Sequence, residues 1–163
     1  MPRDASQSVG EASGRLDSLL SEIYTKSKSE ICGLSRAQFD SILAEIARKY
    51  LPADTTQSEI CNFYGTLRVE ELALARACAI GNEHAWEIFL TRYREKLYEI
   101  AGYITKESST ARELADSIYA DLYGTGTRDG QRASKLASYT GRGSLEGWLR
   151  TVMAQEHVNR YRR

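Results

Sequence analysis

The chain has 163 residues, with 22 Lys and Arg against 22 Asp and Glu and 2 His, so its formal net charge is zero. Hydrophobic residues make up 42% and charged residues 27%, which is too apolar for a disordered chain. The length suits one compact domain with an extension rather than two full domains.

Residues 1–13 are polar and small and read as a loose tail. From about Arg15 the pattern is helical: Leu16, Leu19, Leu20, Ile23 and Tyr24 recur at three-to-four spacing, and Ile31 and Gly33 close the stretch. Ser35-Arg36-Ala37-Gln38 reads as a capping box opening a helix with Phe39, Ile42, Leu43, Ile46 and Tyr50 on one face, ended by Pro52. Thr56-Gln57-Ser58-Glu59 is a second box, starting a short helix through Ile60, Phe63 and Tyr64 that Gly65 stops. A helix is predicted from about Val69 to Ile80, with Gly81-Asn82 as its end and the next start. The longest helix follows, with Trp86, Leu90, Tyr93, Leu97, Ile100 and Ile104 forming a nearly continuous packing seam. Thr110-Ala111-Arg112-Glu113 reads as a third box, opening a helix with Ala111, Leu114, Ala115, Ile118 and Leu122 inward. Glycines at 124, 126, 130, 141 and 143 then break the pattern, and a last helix begins near Ser144. No alternating strand pattern is visible, so the expected fold class is all-α, a helical bundle.

Zero net charge argues against a nucleic-acid partner only if the charge is evenly spread. It is not: residues 1–69 carry 8 basic and 9 acidic side chains, residues 70–124 carry 6 and 10, and residues 125–163 carry 8 and 3. An acidic middle and a basic end suggest two partners of opposite character, although asymmetry of this size also arises on solvated faces.

The three cysteines, Cys32, Cys61 and Cys78, have no C-x-x-C spacing and read as buried free thiols. Cys78 and His84 are a lone Cys/His couple with no second pair to complete a metal site. The start, MPRDASQ, has no apolar core of a signal peptide, and the best apolar run, Leu72 to Ile80, is short and holds Arg76. The expectation is a cytoplasmic protein without a membrane partner. The glycine-rich stretch lacks G-x-x-x-x-G-K-[ST], and its Gly-x-Gly follows a helix rather than a strand. Neither His84 nor His157 sits in a triad pattern, and Glu70/Glu71 or Glu113/Asp116 resemble solvated-face residues more than catalytic pairs. The chain therefore reads as neither an enzyme nor a cofactor protein.

The last segment says more. Leu145, Leu149 and Val152 form an inward stripe with Trp148 beside it. A different face carries Thr151, Gln155, Asn159 and Arg162, side chains able to meet base edges and phosphates. Arg150, Arg160 and Arg163 add charge around that face. Before it, Tyr139, Lys135 and Arg142 place a ring beside cations, a combination suited to single-stranded bases. An amphipathic helix with a merely polar outer face fits these residues equally well.

From about Glu70 to Arg163 the chain resembles region 2 of bacterial RNA polymerase sigma factors, of the extracytoplasmic-function group in the sigma-70 class. Three segments carry the resemblance, in order: GNEHAWEIFLTRYREKLYEIA, ARELADSIYADLY and GWLRTVMAQEHVNRYRR. They are similar to the family's opening helix, its Ala-Glu-Asp-Leu-x-Gln-x-x-Phe helix and its closing Trp-Leu…Asp-x-x-Arg-Arg helix. The resemblance implies a sigma region 2-like domain over 70–163, a helical N-terminal extension over 14–69 and the tail at 1–13. It implies that Glu113, Asp116, Ser117 and Ala120 bind the clamp helices of the polymerase's largest subunit. It further implies that the final loop and helix open the promoter and capture a non-template base of the −10 element, through Lys135, Tyr139, Arg142, Trp148, Thr151, Gln155, Asn159 and Arg162. Trp148, on the Leu149 side, reads as core. An anti-sigma factor is a further partner open to such a protein.

The chain departs from the family in two ways. Glu113 and Asp116 keep the acidity of the middle motif without its amide, and the chain ends at Arg163, before the helix-turn-helix that reads the −35 element. The expectation is that the sequence is a piece of a longer protein. The alternative reading is a sigma-like helical adaptor or regulator that acts through protein contacts without melting DNA.

Overall fold

The computed structural model describes the backbone of residues 5–124, 127–128, 131–132 and 134–161, and the side chains of residues 14–124 and 134–160. Among the described residues seven helices carry the fold: α1 (Ala5–Ser27), α2 (Arg36–Tyr50), α3 (Gln57–Gly65), α4 (Val69–Ala79), α5 (Glu83–Thr105), α6 (Ser108–Tyr123) and α7 (Leu145–Tyr161). A two-residue hairpin, β1 (Thr127–Arg128) with β2 (Gln131–Arg132), and a 3₁₀ turn at Lys135–Ser138 lie between α6 and α7. The fold class is all-α.

Local chemistry sets most of the helix ends. Ser35 accepts from the Gln38 N–H at 3.1 Å while Gln38 Oε1 accepts from the Ser35 N–H at 2.8 Å, closing the predicted capping box of α2. Thr56 accepts from the Glu59 N–H at 3.2 Å at the start of α3, and Asn82 accepts from the Ala85 N–H at 2.8 Å at the start of α5. The third predicted box is corrected. α6 begins three residues earlier, after Glu107, and Thr110 Oγ1 donates to the Glu107 side chain at 3.1 Å instead of capping backbone. The expected tail is corrected as well, because α1 runs back to Ala5. A helix nucleated by packing elsewhere extends along residues such as Ala and Glu at little cost. The hairpin was hidden from periodicity because two-residue strands show no alternation, although the sequence Asp-Gly at 129–130 is a hairpin signal.

α4 is the central element. Every residue from Leu72 to Cys78 is buried, as befits a helix that is apolar almost all round. It packs against α1, α5, α6 and the 3₁₀ turn, while α5 also packs on α6 and α7. Phe39, Leu43 and Ile46 of α2 join Leu72, Phe89, Ile118, Leu136 and Leu149 in one apolar cluster. The core thus runs across residue 70, where the resemblance begins. Cys32 and Cys78 are buried and Cys61 is half-buried. Among the described residues no helix is long and apolar enough to cross a membrane, and no group of His, Cys, Asp and Glu is placed to hold a metal ion.

The turn before α2 comes close to the cap of α5. Gly33 has φ +81°, and a Cβ there would lie 2.2 Å from Asn82 Nδ2. Gly33→Ala would strain the backbone and push away the amide that caps α5, together costing about 2 kcal/mol. Urea unfolding reads this loss; an unchanged midpoint would contradict the close approach.

Tyr93, half-buried, donates to Glu71 Oε1 at 3.5 Å. Burial first, and then the Glu71 carboxylate, push its phenol from the ordinary 10 up to about 12. The folded chain therefore keeps this proton after the unfolded chain has lost it. Stability is full below pH 10 and falls between pH 10 and about 12. Tyr93→Phe should flatten that alkaline fall in denaturation midpoints measured across the range; an unaltered slope would contradict the linkage.

Candidate functional site

α7 starts at Ser144, whose Oγ accepts from the Gly147 N–H at 3.0 Å. Leu145, Leu149 and Met153 are fully buried. The inward stripe therefore runs at steps of four and ends on Met153, with Val152 only half-buried. Spacing alone sets Val152 nearer the Leu145/Leu149 midline than Met153, so the burial of Met153 follows from how α5 and α6 pack on α7. Trp148 is half-buried and set edge-on to Tyr139, with ring centroids 5.8 Å apart.

Thr151, Gln155 and Asn159 are exposed, as the helical spacing predicts. Thr151 Oγ1 donates back to the Gly147 carbonyl at 3.1 Å, and Gln155 Nε2 donates to Asn159 Oδ1 at 3.1 Å. That arrangement keeps the Gln155 carbonyl and the Asn159 amide available to an outside partner. The surrounding cations have carboxylate partners: Arg150 with Glu146 at 3.4 Å, Arg160 with Glu156 at 3.5 Å, and Lys135 with Asp121 at 3.8 Å and Glu156 at 3.9 Å. Such pairs are weak and screened, so a phosphate backbone can compete for these side chains. Lys96 of α5 also reaches Glu146 at 3.2 Å, and its hydrogen bond holds that carboxyl below the usual carboxylate range. Arg162 and Arg163 lie outside the described residues.

Two members of the expected base-capturing group are not presented as the sequence suggests. Tyr139 is 2% exposed. Its hydroxyl donates to the Gly143 carbonyl, its carbonyl accepts from Arg76 Nε at 2.9 Å, and burial pushes its phenol far up. A ring enclosed in this way has no face for a base, so Tyr139 is a core residue. Arg142 lies on the surface, but its guanidinium carbon sits 4.5 Å over the Tyr50 ring and 5.9 Å from that of Phe63. It is held against α2 and α3 by cation–π contact.

An exposed ring exists elsewhere, and the spacing contained it. Tyr103 is 84% exposed, because it falls just off the Ile100/Ile104 seam of α5. It lines a groove between α5 and α7 together with Ile100, Ile104, Ala154, Lys96 and Arg150. Arg150 and Ala154 of that groove lie about 100° around α7 from Thr151 and Gln155.

On α6, Ala111, Leu114, Ala115, Ile118 and Leu122 are all buried, as predicted. Glu113 and Asp116 are exposed, and Ser117 and Ala120 are half-exposed on the same outer side. Asp116 Oδ1 accepts from the exposed Tyr98 hydroxyl of α5 at 2.9 Å. The described surface thus offers an acidic arc on α6 and a polar arc with neighbouring cations on α7. No family model matches this chain, and neither a curated protein nor a solved structure does.

Proposed function

We propose that the chain is a transcription-initiation module of the sigma-70 class, extracytoplasmic-function group, working as a region 2-like domain behind a helical extension. The observation that supports this reading most is the placement of its outward residues. Helices carrying the second and third family-like segments, α6 and α7, bury their apolar stripes and leave the residues assigned to polymerase and DNA on their surfaces. The acidic arc at Glu113, Asp116, Ser117 and Ala120 would dock on the clamp helices of RNA polymerase core. The arc at Thr151, Gln155 and Asn159, with Arg150, Arg160 and Lys135 around it and Arg162 and Arg163 following in sequence, would hold the non-template −10 strand. Tyr103 takes the stacking role that buried Tyr139 cannot. Strand opening would draw on binding free energy alone, without a cofactor.

Titrating the chain with non-template and template −10 single strands over a range of salt tests the DNA half. The expected result is preference for the non-template strand, affinity that falls steeply with salt, and weakening by Asn159→Ala of about 10-fold. Tyr103→Ala should weaken it by about 5- to 50-fold, as the loss of one stacked base does. Equal affinity for both strands, or no effect of either variant, would contradict the assignment.

Buried Tyr139 and engaged Arg142 favour a second reading, a sigma-like adaptor that contacts polymerase or a regulator and does not melt DNA. An adaptor has no need of strand selection, so the same titration separates the two.

A further inference from the structure

The loop from Tyr139 to Gly143, which leads into α7, is gripped from the N-terminal side of the chain. The Arg68 N–H donates to the Gly141 carbonyl at 2.7 Å, and Gly141 sits against Leu72, where an added Cβ would come within 3.3 Å of the Leu72 Cβ. Arg76 reaches in two directions from α4. Its Nε donates to the Tyr139 carbonyl, and its Nη1 lies 3.6 Å from Glu45 of α2. At the far end of the loop, the Arg142 guanidinium rests over Tyr50 at the end of α2 and beside Phe63 of α3, two rings that are themselves 6.2 Å apart. The N-terminal helices thus touch the loop directly through Arg142, and at its other end only indirectly, through Glu45 on Arg76 of α4.

These contacts do more than support a loop. A guanidinium resting on the Tyr50 ring has one face covered and its place fixed beside α2 and α3, so it can move to a strand lying along α7 only by leaving that ring. Arg142 is one of two cations between the 3₁₀ turn and α7 that could reach nucleic acid, the other being Lys135 at the head of that turn. We propose that α2 and α3 act as an intramolecular brake, in which Tyr50 and Phe63 hold Arg142 away from nucleic acid until the aromatic contact is given up. The proposal rests on the reading of α7 and its leading loop as a nucleic-acid face. It adds to that reading a role for residues 36–65: they set the affinity of a face to which they contribute no contact. A purely structural tie makes the opposite prediction, since loosening it would disorder the loop and weaken binding.

The full chain carrying Tyr50→Leu and Phe63→Leu tests this, because leucine keeps apolar bulk while removing both rings. The readouts are affinity for the non-template −10 single strand and the rate at which a dicarbonyl reagent modifies Arg142, followed by peptide mass mapping. Expected are faster modification of Arg142 and about three-fold tighter binding, the size of one exposed cation–π contact. Adding Arg142→Ala to the double variant should remove the gain. Unchanged modification of Arg142 would overturn the brake whatever the DNA result. Faster modification with equal or weaker binding, in a chain that does bind, would also overturn it. Faster modification in a chain that binds neither strand, before or after substitution, would uphold the grip on Arg142 and count against the nucleic-acid reading instead. A circular dichroism melt of each variant separates these outcomes from failure to fold; should the double variant melt early, Tyr50→Leu alone carries the same comparison.

Discussion

The double reversal Glu113→Lys with Asp116→Lys is expected to lower affinity for RNA polymerase core by about 100-fold, a cost in the range that like charges impose across an interface. Both side chains are exposed on the outer side of α6, and the inward stripe of Ala111, Leu114, Ala115, Ile118 and Leu122 is untouched by the change. The variant should therefore fold, with only the exposed Tyr98 hydroxyl losing its acceptor. Residues 70–124 carry 6 basic and 10 acidic side chains, an excess that suits a basic docking partner. Fluorescence titration of core with the two chains, at low and moderate salt, measures the ratio. Equal affinities would remove α6 from the proposed interface.

Arg76→Ala is expected to destabilise the chain by about 3 kcal/mol, combining an unsatisfied buried carbonyl with a cavity. Arg76 is 8% exposed in the middle of α4, where burial pulls its pKa down and Glu45 partly restores it. The carbonyl it serves belongs to Tyr139, itself enclosed, so that acceptor has no water to turn to. Glu45, by contrast, is largely exposed, and losing its partner leaves no buried charge behind. Glu45→Gln leaves the buried Arg76 guanidinium without a carboxylate, but the amide oxygen can still accept and the 3.6 Å contact is screened on its exposed Glu45 side, so the cost should be about 1 kcal/mol. Urea denaturation of both variants checks the inequality. A larger loss from Glu45→Gln than from Arg76→Ala would mean that the ion pair, not the hydrogen bond to the loop, carries the stabilisation.

The scaffold was legible in the sequence wherever one helix face decides burial. The stripe of α6, the box at Ser35 and the cap at Asn82 follow from spacing and from backbone groups within four residues, whereas on α5 the buried Phe89 and Ala101 lie beside the expected seam, of which Leu90, Tyr93 and Ile104 are half-buried. Thr110 shows the limit of that logic: its neighbour Glu107 offered a carboxylate, and the helix started before the box. The candidate site was legible to the same extent. Exposure of Thr151, Gln155, Asn159, Glu113 and Asp116 is a property of single amphipathic helices. What spacing could not supply is contact between distant segments. Tyr139 is enclosed because Arg76, 63 residues earlier, binds its carbonyl and Trp148 covers its ring. Arg142 is held by rings of α2 and α3, outside the region that carries the family resemblance. Tyr103 borders the apolar seam of α5, and spacing alone does not distinguish an exposed ring there from a packed one.

Binding of the unmodified chain to purified RNA polymerase core at low salt tests the central claim most directly. The proposed function predicts a saturable complex with Kd below about 1 μM, which then retains the non-template −10 strand in preference to the template strand. No complex at concentrations up to about 100 μM, or a complex that holds both strands equally, would contradict it.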